Sequence, residues 1–451
     1  MSISLESDEN SPLRGDAGAR SIMLIRFAVE NFRSINDLVE LSFVATDDRR
    51  EDARRVEGFD HELVTVAGIF GPNAAGKSNV LQALDWLRRG VRNSLLYWDE
   101  GIPIEPFAGA NSDVPTSFWV DFVSGGTRYT YELEVTHSDV VYEGLFHYPR
   151  GRRRRIFERD GLELTLQDGL GVLAGTRQIL TSRVLVLSLA RRFSERLTQQ
   201  AWRELAQIST QGLKRRVRGY PGAFAPMLGG RAMRPSTKLF EPLPIELPDT
   251  EPLFELEDFE NGDRAAQRDQ ALALLRMADL GVMDVELVDD PRSDGRLKKP
   301  KLIHRFGERS AGLDFEDESE GTRQWFLLLA PLLDALSTGG VLIFDEMDAS
   351  LHPKLTAEIL RLFRDPATNT RNAQLLFTSH DPSLLSHLNR DQIWFVEKTQ
   401  AGASKLYPVT DFGSNEVRQS HNLEKRYLDG RFGALPYIDI TNVYKAMGAL
   451  D

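Results

Sequence analysis

The chain of 451 residues contains no cysteine. Disulfides, thiolate metal sites and cysteine nucleophiles are therefore excluded, and the composition suits a reducing cytoplasm. No apolar stretch approaches the roughly 20 residues needed to span a bilayer, so no membrane segment is expected. The first 22 residues, MSISLESDENSPLRGDAGARSI, lack the apolar core of a signal peptide and are expected to form a disordered leader. Positive charge is also in short supply: 55 Lys and Arg against 67 Asp and Glu leave a formal charge of −12. That excludes a protein coating nucleic acid through a broad basic surface, while leaving room for a local basic groove. Internal repeats are missing, as are heptad runs long enough for a coiled-coil arm. What is there is an ordinary globular balance, 41% hydrophobic and 27% charged, with material for a large core in two or three lobes.

Along the chain, Met23–Ala45 alternates apolar and polar residues about a turn at Asn31–Asn36, the pattern of a β-hairpin. Leu63–Phe70 predicts a buried strand and Ser78–Val91 an amphipathic helix. Further strands follow at TSFWVDFV, TRYTYELEV and RRIFERD. A first lobe over 23–190 is thus a twisted β meander around one helix. Residues 191–287 turn helical in ARRFSERLTQQAWRELAQI and DRAAQRDQALALLRMADLGVMDVEL. Between them, Gly212–Asp258 is rich in Pro and Gly, basic and then acidic, and is expected to be irregular. Over 288–451 helix and strand alternate: GTRQWFLLLAPLLDAL, GVLIFD, PKLTAEILRLFR, AQLLFTS, QIWFVEK. This is the rhythm of a parallel sheet. The expected class is α/β, with a β-rich first lobe, a helical insertion and a parallel-sheet second lobe.

Gly71-Pro72-Asn73-Ala74-Ala75-Gly76-Lys77-Ser78, followed by Asn79, fits G-x-x-x-x-G-K-[ST] between a predicted strand and a predicted helix. Small residues let successive backbone N–H groups curl around phosphate oxygens, and the helix N-terminus adds partial positive charge. Lys77 is placed to reach the β and γ phosphates of ATP, and the Ser78 hydroxyl to ligate Mg²⁺. Far downstream, GGVLIFDEMDASLHP ends an apolar strand in Asp345, a second candidate support for Mg²⁺. Two adjacent carboxylates at a strand end are costly without a cation or a proton task, and Glu346 is assigned as general base for the attacking water. LLFTSHD puts His380 at another strand end, as a candidate γ-phosphate contact.

In FEDESEGTRQWFLLL, Ser319-Glu320-Gly321-Thr322 precedes a buried helix and offers a second phosphate-binding end. One ATP in one chain has no need of two such ends, so Ser319 and Gly321 are expected to close on the ATP of another subunit. These motifs, in this order, resemble an ABC-type ATPase of the SMC/RecF-like branch. Glu320 and Thr322 depart from the transporter signature L-S-G-G-Q, while Ser319 and Gly321 keep its hydroxyl and its bare backbone. FAVENFRSIND, ALLRMADLGVMDVEL, DESEGTRQ, DEMDASLHPKL, RDQIWFVEK and EKRYLDGRFGALPYI, spread from Met23 to Ile438, are similar to the bacterial AbiLi/RloA-like ATP-binding proteins. Those belong to phage-defence and abortive-infection loci and are related to OLD-family and PARIS-system ATPases.

The resemblance implies that Asn31-Phe32-Arg33-Ser34 lies near the nucleotide, with Arg33 a phosphate or base contact. It places no Q-loop glutamine. It implies a homodimer or higher homo-oligomer built through an ATP sandwich, in the cytoplasm. Fewer than about eighty residues follow His380, less than an average domain. A separately encoded effector is therefore expected, by resemblance a TOPRIM or RloB-like nuclease. Two other classes compete. PRGRRRR (Pro149–Arg155) and the basic stretch Lys214–Lys238 would suit a RecF-type DNA-repair clamp, or else a solvated hairpin turn and a linker. The third, the ATP subunit of a membrane transporter, fits the divergent signature poorly.

Overall fold

The computed structural model describes residues 22–47, 50, 52–111, 113–170, 173, 175–193, 195–213, 234–241, 264–290, 298–349, 351–413, 422–435, 444 and 447. The leader expected over 1–22 lies outside them except for Ile22. So does the span Gly212–Asp258, apart from 212–213 and 234–241.

Among the described residues two large sheets stack on one another. The first is antiparallel, in the order Glu163–Leu166, Arg154–Asp160, Val140–His147, Thr127–Val135, Thr116–Ser124, Ile22–Glu30, Val39–Ser42. It contains the expected hairpin, with Phe27 opposite Leu41 and Val29 opposite Val39. The second sheet runs Ser209–Gln211, Val341–Phe344, Gln374–Ser379, Val66–Phe70, Ile393–Lys398, Ser404–Pro408. Its first five strands are parallel and the last is antiparallel. A three-stranded antiparallel sheet, Val282–Asp289, Lys298–Phe306 and Arg309–Asp314, stands apart.

The central parallel strands are mostly apolar because both of their faces are covered. Successive side chains on a strand point to opposite faces, and the core divides accordingly. Ala67, Ile69, Val341, Ile343, Leu376, Trp394 and Val396 pack with the antiparallel sheet and with the helix Lys77–Tyr97, through its Val80, Leu84, Leu87 and Val91. Val66, Phe70, Leu342, Phe344, Leu375, Phe377, Ile393 and Phe395 face the other way, toward the helices Glu320–Thr338 and Pro353–Arg364. Gln374 joins the two sheets. Its buried amide accepts from the Leu24 N–H at 2.6 Å and donates to the carbonyls of Leu24 and Val64 at 3.0 and 3.1 Å.

Several elements differ from expectation. Val66–Phe70, assigned to the first lobe, is the middle of the sheet built from the last third of the chain. The segment 191–287 is not helical throughout. Ser209–Gln211 is a strand beside Val341–Phe344, and the helix Arg264–Ala278 stops where Asp279 accepts the Gly281 N–H at 2.8 Å. Beyond that turn, MDVEL belongs to the strand Val282–Asp289, whose β-branched Val282, Val285 and Val288 suit a pleated surface.

The helix Glu320–Thr338 carries Pro331 inside it. Proline cannot donate to the carbonyl four residues back. That carbonyl, on Leu327, instead accepts the hydroxyl of buried Ser236 at 3.3 Å, so a short helix at Arg234–Lys238 repairs the missing rung.

Gln374→Ala would strand three buried backbone groups at the junction of the sheets. The expected loss is about 3 kcal/mol of stability, read as a lowered urea midpoint with an unchanged slope.

Candidate functional site

The strand Val66–Phe70 delivers residues 71–76 as a loop at its C-terminal end, and the helix Lys77–Tyr97 follows at once. Gly71 and Gly76 have φ of 149° and 108°, a region that side chains avoid. A Cβ at Gly71 would run into the Val396 carbonyl, and one at Gly76 into the hydroxyls of Ser404 and Ser34. Those hydroxyls form a brace under the loop. Ser34 Oγ lies 2.7 Å from Ser404 Oγ and accepts from Asn79 Nδ2 at 2.6 Å, and Ser404 Oγ donates to the Ala75 carbonyl at 2.6 Å.

The hairpin Asn31–Ser34 is thereby fastened to the loop, through Ser34. Arg33, which shares that turn, points elsewhere: its guanidinium pairs with Glu105 at 2.8 Å. Pro72 is half-buried, Asn73 and Ala74 are exposed at the tip, and Ala75 is buried.

Lys77 is buried, and its ammonium reaches three acceptors: the carbonyls of Gly71 at 2.8 Å and Pro72 at 3.1 Å, and His380 Nδ1 at 3.0 Å. Burial lowers its pKa to about 8, against the opposing pull of Asp348, Asp345 and Glu346. Burial, and then the Lys77 charge, also lowers the pKa of His380, which favours a neutral ring accepting from Lys77. The His380 backbone N–H donates to Asp348 at 3.1 Å.

Asp345 is buried at the end of Val341–Phe344 and accepts hydroxyls from Ser78 at 2.9 Å and Thr378 at 2.6 Å. Thr378 Oγ1 in turn accepts the Glu346 N–H at 2.8 Å, and Glu346 adopts φ 51°. A cavity of about 210 Å³ opens beside the pair, lined by Gln211, Gly212, Gln324, Asp345, Glu346 and Leu351.

Gln211 is the residue that sequence reasoning missed. It ends a three-residue strand whose carbonyl accepts the Asp345 N–H at 3.0 Å, so it stands next to the carboxylate pair. No apolar pattern marks it in STQ. The only local signal is its position before a glycine. Thr378 and Ser404 were likewise unmarked.

Ser319 caps the helix Glu320–Thr338, accepting the Thr322 N–H at 3.1 Å. A side chain at Gly321 would meet only Ser319 Oγ, so the backbone there is open to an approaching group. Glu320 is exposed and holds Arg323 and Gln324. The arginine-rich hairpin at Pro149–Arg155 is partly neutralised, Arg153 by Glu132 and Arg155 by Glu158. The other basic stretch, Lys214–Lys238, is described only from Arg234 onward.

The loop can cradle phosphate oxygens on backbone N–H groups, and Lys77 can exchange carbonyl partners for phosphate. Ser78 and Asp345 present the two oxygens that a hard cation takes. Tight glycines, a buried ammonium and a carboxylate facing a hydroxyl all fit a magnesium nucleotide. A parallel sheet with the loop on its central strand, a carboxylate pair two strands away and a separately capped helix beyond it define the fold of an ABC-type P-loop ATPase. The family described as "AAA domain, putative AbiEii toxin, Type IV TA system" matches residues 66–185 and 231–386, more than half of the chain, and the chain belongs to that family.

A search of the curated proteins finds no match. Among solved structures, the SMC head domain from Thermotoga maritima is similar at 14% identity and TM-score 0.38, over 85% of this chain and 98% of that one. An SmcHead bound to the C-winged helix domain of ScpA is similar at 12% identity and TM-score 0.43, over 85% and 96%. An Smc head with an extended coiled coil, bound to the C-terminal domain of ScpA derived from Pyrococcus furiosus, matches at 12% and 0.38, over 86% and 96%. No helix among the described residues is long and apolar enough to cross a membrane.

The lowered pKa of Lys77 carries a stability signature. Its folded value of about 8 lies below the ordinary 10.5, so the unfolded chain binds the extra proton and the burial penalty is full below pH 8. The penalty fades as pH rises from 8 toward 10.5. Without nucleotide, Lys77→Met should therefore melt higher than wild type at pH 7, with the gap closing by pH 10.

Proposed function

We propose that this chain is an ATP-hydrolysing switch of a bacterial anti-phage or abortive-infection system, acting as a homodimer that closes on ATP and controls a separately encoded effector. The observation that carries the reading is the single network joining Lys77, His380, Asp348, Ser78, Asp345, Thr378 and Glu346 at the C-terminal edge of the parallel sheet. The family description, with its toxin–antitoxin setting, supports the defence context. The resemblance to AbiLi/RloA-like proteins supports a TOPRIM or RloB-like nuclease as the effector.

In this reading residues 71–79 wrap the triphosphate, and Lys77 turns its ammonium from the Gly71 and Pro72 carbonyls to the β and γ phosphates. Ser78 and Asp345 would hold Mg²⁺, which would supply positive charge to offset that of the phosphates. Glu346 takes the proton of the attacking water, and its backbone is fixed by Thr378 beside the cavity that it helps to line. Gln211, at that cavity's edge, fills the place of the Q-loop glutamine and orients the water or the cation shell. His380, neutral and within reach of Lys77, contacts the γ phosphate. Ser319 and the open backbone at Gly321 bind the same γ phosphate from the second protomer. Breaking the β–γ bond then removes the material that bridges the two chains.

Glu346→Gln should lower turnover by about 10²–10⁴-fold and accumulate an ATP-bound dimer in light scattering, whereas turnover at the wild-type rate refutes the assignment. Lys77→Ala should lose ATP affinity. Ser319→Arg should bind ATP as a monomer and fail to hydrolyse it.

A further inference from the structure

Away from the phosphate loop, three side chains with metal-ligating atoms converge where the helix Glu320–Thr338 begins. Asp279 sits in the turn after the helix Arg264–Ala278, His304 on the strand Lys298–Phe306, and Glu318 immediately before the capping Ser319. One donor atom from each lies within 4.8 Å of the other two. His304 Nε2 is 2.7 Å from Glu318 Oε1, and His304 Nδ1 is 3.9 Å from Asp279 Oδ2. His304 and Glu318 are each 7% exposed, while the Asp279 side chain keeps 34% of its surface.

We propose that Asp279, His304 and Glu318 form a binding site for a divalent transition-metal ion, of which zinc is the best match. Two carboxylates around one imidazole are more negative charge than a largely buried site holds cheaply, and a divalent ion neutralises it. One nitrogen and two oxygens suit zinc or manganese; magnesium and calcium prefer oxygen alone. Donors around tetrahedral zinc stand about 3.3 Å apart, given bonds of about 2.0–2.1 Å. One ion takes one of the two His304 nitrogens, and the three donor atoms, which start within 4.8 Å of one another, draw in by up to about 1.5 Å. The half-exposed Asp279 gives the ion its way in and leaves room for water as a further ligand.

The site has a consequence for the helix it adjoins. Glu318 is one residue from Ser319, and the helix Arg264–Ala278 is already tied to Glu320–Thr338 by the Trp325 Nε1–Leu274 carbonyl bond at 2.7 Å. A bound ion fastens the start of that helix to the three-stranded sheet and to the turn at Asp279. This binding is independent of the ATPase reading and is measured without nucleotide.

The full chain, stripped with EDTA and desalted, is titrated with zinc chloride, dialysed and analysed for metal, with Co²⁺ absorption as a second readout. One zinc per chain and visible Co²⁺ bands are expected in wild type. Both should fall to background in Asp279→Asn and in His304→Gln. Asp279→Asn alters a partly exposed turn, and its circular dichroism melt establishes that it is folded. Wild-type chain retaining no stoichiometric zinc means that His304 and Glu318 form a plain buried ion pair, and the proposal is overturned. Zinc retained in full by both variants places the ion elsewhere and overturns it equally.

Discussion

The carboxylate of Asp345 is buried at a strand end, where an uncompensated charge would cost several kcal/mol. It is compensated by two hydroxyls, from Ser78 in the first turn after the phosphate loop and from Thr378 on the neighbouring strand. Those bonds fix the loop helix, the strand Val341–Phe344 and the strand Gln374–Ser379 at one point. Thr378 then fixes Glu346 through its amide, and the strand's end places His380 against Lys77 and Asp348. Glu346 is held at φ 51°, which costs on the order of 1 kcal/mol for a residue with a Cβ. A strained backbone beside a buried charge persists only where the surrounding bonds over-determine it, and here they do.

That arrangement makes the loop a supported structure. Underneath it the Ser34 and Ser404 hydroxyls brace Ala75 and Asn79, so the first hairpin and the last strand of the parallel sheet both bear on the same few residues. Movement of either would be felt at the loop. The separately capped helix at Ser319 is open at Gly321, and its second turn contributes Gln324 to the cavity beside Glu346.

Much of this was legible in the sequence because the strong signals are local. The apolar runs around Gly71–Ser78, Asp345 and His380 predict strands ending in polar residues, and strand ends on one edge of a parallel sheet gather whatever they carry. Helix Pro353–Arg364 begins and ends at the residues its pattern predicts. What was not legible depends on partners distant in the chain. Gln211 sits on a strand with no apolar residue, stable only through pairing with Val341–Phe344. Val282–Asp289 follows a helix so closely that MDVEL looks like its continuation, and only pairing with Lys298–Phe306 makes it a strand. Arg33 shows the converse. Its guanidinium bonds Glu105, 72 residues away in sequence.

In the proposed ATP-bound dimer the loop at Lys77 and the cap at Ser319 grip one triphosphate from opposite protomers. The absence of cysteine permits a direct test. A chain carrying Asn73→Cys is mixed with a chain carrying Glu320→Cys, both in the Glu346→Gln background, and treated with a short thiol-specific crosslinker. The expected result is a covalent dimer that forms from the mixture only when ATP is present and from neither chain alone. No crosslink from the mixture, while both chains bind ATP, would contradict it.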